Sequence, residues 1–208
     1  MQIIQLNVGG FDNNFTYVII GENNECVLID PTGSKQVIDS YLMDHSLTPV
    51  LQLITHAHPD HIENISYYSE EKKIPLKVFS DFQKQSEFVV CGIKIKVIFT
   101  PGHTFDSVCF LIENNLFTGD TLFVQGVGTT AYGGDEEELA RTLQKMFELN
   151  QDIIIWPGHN YGGARSTLVK ALSNAHLRPS KATMDIIHKR VTEYNNKVGI
   201  KFDNPTND

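Results

Sequence analysis

At 208 residues, with 41% hydrophobic and 20% charged residues, the chain has the composition of an ordinary globular protein large enough to bury one sizeable core. A net charge of -8 excludes general affinity for nucleic acid or anionic lipid, which need a basic field, and leaves a small molecule as the expected partner. No apolar run approaches the roughly 18 residues of a membrane span, and Met1 to Gly10 lacks the basic start and apolar centre of a signal peptide, so a cytoplasmic location is expected, with no membrane partner and the oligomeric state left open.

Three short β-like runs come first, Ile3 to Val8, Phe15 to Ile20 and Cys26 to Ile29, separated by Gly, Asn and Asp turn residues, and they read as an antiparallel meander. Ser34 to Met43 has helical spacing, with Val37, Ile38, Tyr41 and Leu42 on one face and Ser34 as N-cap. A strand from Val50 to Thr55 ends at His56, and a helix follows over Asp60 to Lys73. Strands are expected at Leu76 to Phe79, Phe88 to Phe99, Ser107 to Ile112 and Leu116 to Thr118, then a helix at Glu136 to Phe147 and a last strand at Ile153 to Trp156. From Ala164 the chain reads as helical, interrupted at Arg178 and Pro179 and fraying into the polar tail Asp203 to Asp208. Cys26, Cys91 and Cys109 form an odd set inside apolar runs and read as small buried thiols, and Trp156 reads as core.

Thr55-His56-Ala57-His58-Pro59-Asp60-His61 places three imidazoles and a carboxylate within six positions, a pattern that this composition produces by chance roughly once in a thousand such chains. These are donors that divalent Zn, Fe, Mn or Co accept. In an extended segment His56 and His58 project to the same side, and the turn after Pro59 re-aims Asp60 and His61, so one motif can serve two adjacent ions. Pro101-Gly102-His103, Gly119-Asp120 and Pro157-Gly158-His159 each present one further donor behind a glycine at a strand end, where the chain can turn sharply and converge on one edge of the fold. His45, His176 and His188 have no such neighbours and read as exposed or structural.

With these motifs the chain resembles the metallo-β-lactamase superfamily over about residues 10 to 165. The resemblance implies an α+β fold, an αββα four-layer sandwich with the metal site at one sheet edge. It also implies a first metal site of His56, His58 and His103, a second of Asp60, His61 and His159, and Asp120 as the bridging carboxylate. A catalytic domain over 1–175 and a short helical extension with a polar tail over 176–208 are expected.

Phe117-Thr118-Gly119-Asp120-Thr121-Leu122-Phe123, Gly126-Val127-Gly128 and Gly158-His159-Asn160-Tyr161 most resemble the glyoxalase II group, the hydroxyacylglutathione hydrolases. That likeness implies hydrolysis of a thioester or related ester by a dinuclear metal-bound hydroxide, with Asp60 and Asp120 as catalytic carboxylates and Tyr161 and Tyr132 as substrate-binding residues. Two divalent ions are expected, zinc foremost, with iron or manganese accepted by the same donors. The group carries a basic residue after its glycine loop, where this chain has Thr129, Thr130 and Ala131, and Arg165, Lys170, Arg178 and Lys181 read as a solvated helix face. The alternative on the same fold is a mononuclear iron persulfide dioxygenase, using His58 or His56 with His103 and Asp120.

Overall fold

The computed structural model describes residues 1–175. Its first half is the expected meander, β1 (Gln2–Gly9), β2 (Asn14–Ile20) and β3 (Glu25–Ile29), paired antiparallel in succession. Helix α1 (Lys35–Asp44) follows, capped as expected by the Ser34 side chain on the Val37 amide. It buries Ile38 and Leu42, while Val37 of the predicted apolar face stays 40% exposed. Strand β4 (Thr48–Leu53) then returns parallel to β3, and β5 (Leu76–Lys77) adds parallel to β4, which closes a sheet in the order β1-β2-β3-β4-β5.

The second sheet has the order β11-β10-β9-β8-β7-β6, built from β6 (Glu87–Val90), β7 (Ile93–Phe99), β8 (Val108–Ile112), β9 (Asn115–Gly119), β10 (Ile154–Pro157) and β11 (Ser166–Thr167). Two more helices flank it, α4 (Glu136–Met146) and α5 (Leu168–Asn174). Short helical turns α2 (Pro59–Ile62) and α3 (Phe79–Phe82) belong to the connections.

Period-two patterning builds the layers, because alternate strand residues face opposite ways. Phe15, Tyr17 and Ile19 of β2 and Val27 and Ile29 of β3 meet Ile93, Ile95, Phe110 and Phe117 of the other sheet in one buried cluster. The alternate residues Val18, Cys26 and Leu28 pack outward on Ile38 and Leu42 of α1. On the far side Cys109, Leu116 and Ile155 pack on Met146 of α4 and Leu168, Ala171 and Leu172 of α5. Three apolar seams between four layers make the expected αββα sandwich. Trp156 lies in the inter-sheet seam, stacked on Phe117, as its apolar strand predicts.

Several elements differ from expectation. The strand expected over Phe88 to Phe99 reverses at Cys91-Gly92, where both residues have positive φ (41° and 77°), the two-residue turn that matches strand twist. Cys91 is therefore a half-buried turn residue rather than a core thiol, whereas Cys26 and Cys109 are buried, and all three are free. The helix expected over Asp60 to Lys73 is broken into α2 and a wide turn over Tyr67–Glu71, closed by the Lys72 amide on the Tyr67 carbonyl. The strand expected to Phe79 stops at Lys77, because α3 starts at Phe79 with the Asp81 carboxylate accepting from the Val78 amide at 3.1 Å. Ser166 and Thr167, expected to be helical, pair with Ile155 and Ile154 as an edge strand. Among the described residues no helix is long and apolar enough to cross a membrane. The expected extension over 176–208, with His176, His188, Arg178 and Lys181, lies outside the described residues.

Candidate metal centre

Strand direction explains why distant residues meet. β3 and β4 are parallel, β9 and β10 are parallel, and β7 runs with β9 because both are antiparallel to β8. The carboxyl ends of β4, β7, β9 and β10 therefore reach one edge, carrying respectively the His56 to His61 loop, His103, Asp120 and His159. The sheets are joined there by the Val108 amide on the Thr55 carbonyl and the Phe15 amide on the Gly158 carbonyl, both at 2.9 Å.

All seven expected side chains come together. His56 Nε2, His58 Nδ1 and His103 Nε2 form a triangle with edges of 3.1, 3.0 and 3.2 Å. Beside it His61 Nε2 and His159 Nε2 are 3.3 Å apart, with Asp60 Oδ2 at 3.6 and 3.3 Å from them. Asp120 lies between the two groups, its Oδ1 3.3 Å from His61 and its Oδ2 3.2 Å from His159 and 3.8 Å from His103.

The outer hydrogen bonds determine which face of each ring looks inward. His58 Nε2 donates to the Tyr132 carbonyl (3.0 Å), His103 Nδ1 to the Thr129 carbonyl (2.7 Å) and His159 Nδ1 to the Asp12 carbonyl (2.9 Å). His61 Nδ1 donates to the Asp30 carboxylate at 2.9 Å. Thr55 Oγ1 gives its own proton to Asp30 at 2.6 Å, so it accepts from His56 Nδ1 at 3.1 Å. Each neutral ring has only one N–H, and it points outward. Five lone pairs thus face one another and two carboxylates across gaps of 3.0 to 3.8 Å, which is repulsive unless cations or extra protons lie between. Nitrogens about 2.0–2.1 Å from a tetrahedral zinc stand roughly 3.3 Å apart, close to these edges. Asp120 Oδ1 is buried with no hydrogen-bond partner, as a metal-facing oxygen would be. The residues fit a pair of divalent cations.

Protonation follows the same geometry. Burial lowers His56 below its ordinary range and holds His103 at about 4. Burial acts in the same direction on His61 and His159 but is outweighed by Asp120 and Asp60, which raise both, His159 to about 10. The two carboxylates are lowered against their own burial, Asp60 chiefly by His61 and Asp120 chiefly by His159. In the cation-free protein, the second group of donors therefore draws protons into the space that the outward N–H groups leave.

Of the two expected substrate residues, Tyr161 stacks on His159, with ring centroids 5.4 Å apart, and its hydroxyl donates to the Asp12 carboxylate. Tyr132 is half-buried and contributes its carbonyl to His58. His45 closes α1 with its ring on Tyr41, and Arg165 lies over the Trp156 ring.

Sequence reading missed the residues that orient the donors. Asp30 anchors His61, the Thr55 amide and the Thr55 hydroxyl with one carboxylate. It ends β3 at φ 47°, an uncommon conformation that Asp tolerates better than most residues. Asn14 is buried and donates to Asp60 Oδ2 (3.0 Å) and to the Asp60 carbonyl (3.2 Å). The available signal was position alone, since both are polar residues next to apolar strand runs.

Comparison with known proteins accords with this geometry. The family model described as the metallo-beta-lactamase superfamily matches residues 9–84 and 67–159. The hydroxyacylglutathione hydrolase of Pseudoalteromonas translucida (strain TAC 125) is 30% identical over 201 residues, covering 91% of this chain and 76% of that protein. The hydroxyacylglutathione hydrolase of Enterobacter sp. (strain 638) is 27% identical over 197 residues, 88% of this chain and 75% of that one. Among solved structures, ETHE1 from Myxococcus xanthus matches 93% of this chain and 91% of its own, at 27% identity and a TM-score of 0.73. The BLEG-1 B3 metallo-beta-lactamase shares the fold with a TM-score of 0.76 at 24% identity, over 85% of this chain and 99% of that one.

Proposed function

The chain belongs to the metallo-β-lactamase superfamily, and from that premise we propose that it is a metal-dependent hydrolase of thioesters or related esters, with two divalent cations at its centre. The observation that carries the reading is the set of five imidazole lone pairs turned inward around Asp60 and Asp120. His56, His58 and His103 are assigned to the first cation, Asp60, His61 and His159 to the second, and Asp120 to both, with zinc as the expected metal. Divalent cations at such a site supply Lewis acidity, which brings the pKa of water toward neutrality and stabilises negative charge on a carbonyl oxygen.

The chain's own groups do the rest. Asp60 is the more open carboxylate, its side chain 18% exposed against 10% for Asp120, and Asn14 fixes its Oδ2. Asp60 is therefore assigned to orient the attacking water. Asp120, enclosed between the two groups of histidines, sets their separation. Tyr161 lies beside His159 at the rim and, with Tyr132 near His58, contacts the substrate. The names of the relatives, hydroxyacylglutathione hydrolases, support a thioester as the bond cleaved.

A second reading is the mononuclear iron dioxygenase. It is favoured by one observation: His58 and His103, 3.0 Å apart at nitrogen, and Asp120, 3.8 Å from His103, supply two histidines and a carboxylate, the donor types of a non-haem iron site. Elemental analysis of the purified protein, together with assays of S-lactoylglutathione hydrolysis and of oxygen uptake with glutathione persulfide, separates the two. Two zinc per chain and hydrolysis are expected; one iron and oxygen uptake would overturn the proposal. Asp120→Ala or His58→Ala is expected to lower turnover by several orders of magnitude with the fold intact, and wild-type turnover by either variant would refute the site assignment.

A further inference from the structure

The two sides of the centre differ in chemistry. On the side of the second donor group Tyr161 is tied to Asp12 and packs on the buried Phe123, while Asn14 is buried behind Asp60. On the side of the first group the rim is aromatic. Phe105, two residues past His103, is 75% exposed, and Phe99, at the carboxyl end of β7, is 40% exposed. Between them Phe79, just after β5, meets Phe99 edge-on at 5.7 Å and Phe105 at 6.1 Å. β5 runs parallel to β4, so its carboxyl end and Phe79 lie at the same edge as the His56 loop. The Ala57 amide donates to the Asp106 carboxylate at 3.0 Å, tying the loop of His56 and His58 to the loop of Phe105. The aromatic ledge is thus continuous with both loops that carry the first donor group.

Packing does not account for this ledge. Phe79 anchors it against the inter-sheet core, yet Phe105 adds little to that core and leaves most of its ring in water. Among the described residues, no lysine or arginine forms an ion pair with any of the seven inward-facing side chains. Exposed aromatic faces beside the first donor group favour contact with apolar surface.

We propose that Phe79, Phe99 and Phe105 form a specificity subsite for one apolar or aromatic arm of the substrate, so that the preferred thioester carries such a group beside the scissile bond. This inference rests on the hydrolase reading above and adds the substrate class to it.

The test is steady-state hydrolysis by the metal-loaded protein of two thioester series. One lengthens the acyl group from acetyl to octanoyl and benzoyl on a fixed polar thiol; the other lengthens the thiol on a fixed acetyl group. In one series kcat/KM is expected to rise with apolar size, and Phe105→Ala is expected to reduce the ratio of longest to shortest by about tenfold, as befits withdrawing one aromatic ring from an apolar arm. Met43→Ala, which removes an equally exposed apolar side chain on α1, is the control and leaves that ratio unchanged. Hydrolysis indifferent to apolar size in both series, or a ratio unaffected by Phe105→Ala, overturns the subsite and leaves the hydrolase reading intact. A Phe105→Ala effect confined to the oligomeric state, read by sedimentation, overturns it too, as a contact between copies. Wild-type protein inert toward every thioester overturns both.

Discussion

Gly158 occupies a place where any side chain would enter the centre. A Cβ built there would lie 2.4 Å from Asp120 Oδ1 and 2.7 Å from Cε1 of the His61 ring, which Asp30 holds in place. The glycine is thus required by close approach to the Asp120 carboxylate. Gly158→Ala is expected to keep the secondary structure, since Gly158 lies just past β10, while reducing bound metal from two ions toward one. Circular dichroism and elemental analysis on the same sample check it; unchanged stoichiometry would show that Asp120 can shift at little cost. The glycine before each strand-end donor was visible in the sequence. That Gly158 guards Asp120 rather than its own neighbour His159 was not, because the two strands bearing them meet only in the sheet.

Helix α4 links an ordinary stability device to the site. Its N-cap Asp135 accepts from the Glu138 amide at 2.8 Å, and the Asp135 amide donates to the Gly102 carbonyl at 2.8 Å, one residue before His103. Asp135→Ala removes the side-chain cap and keeps the backbone bond. A loss of about 1 kcal/mol is expected, measured as a lower denaturant midpoint at unchanged slope, with catalysis retained. Elements of this length and regular pattern were legible, and where reading failed the causes are particular. In the β6–β7 hairpin the apolar phase passes from Phe88 and Val90 to Ile93, Ile95 and Val97, a switch from even to odd numbers that marks the turn at Cys91-Gly92. After His58 the first helical turn is tethered by Asn14 and Thr32 to Asp60 and by Asn64 to Gly33, so its course serves the site and the apolar spacing beyond it is not continued.

For the molecule as a whole, cation binding and folding are linked. In the cation-free protein His103, held at about 4 by burial, is neutral when folded but protonated when unfolded between about pH 4 and its ordinary value near 6.5, so stability falls on acidification through that window. His159, raised to about 10, is protonated when folded but neutral when unfolded above about 6.5, so its stabilisation is complete below that pH and lost as pH rises toward 10. Thermal unfolding with chelator is therefore expected to show the highest melting temperature near neutrality and lower ones on both sides. Divalent ions displace the protons of His61 and His159, so binding near pH 7 is expected to release protons, measured by calorimetry in buffers of different ionisation enthalpy, and to raise the melting temperature. A buffer-independent binding enthalpy would contradict the protonated state of these two rings.

The strands and the dense His/Asp motif were legible in the order of amino acids, because alternation and local clustering are properties that survive without coordinates, while the αββα layering and the full set of seven donors were expected chiefly from the family resemblance those motifs carry. How those donors are aimed emerged from the folded chain alone. Asp30, Asn14 and the carbonyls of Asp12, Thr129 and Tyr132 act on histidines and aspartates distant along the chain, and backbone carbonyls leave no mark in side-chain composition. The aromatic ledge is likewise a product of folding: Phe99 and Phe105 lie at the end of β7 and in the loop after it, and Phe79, distant along the chain, meets both only where the ends of β5 and β7 come together.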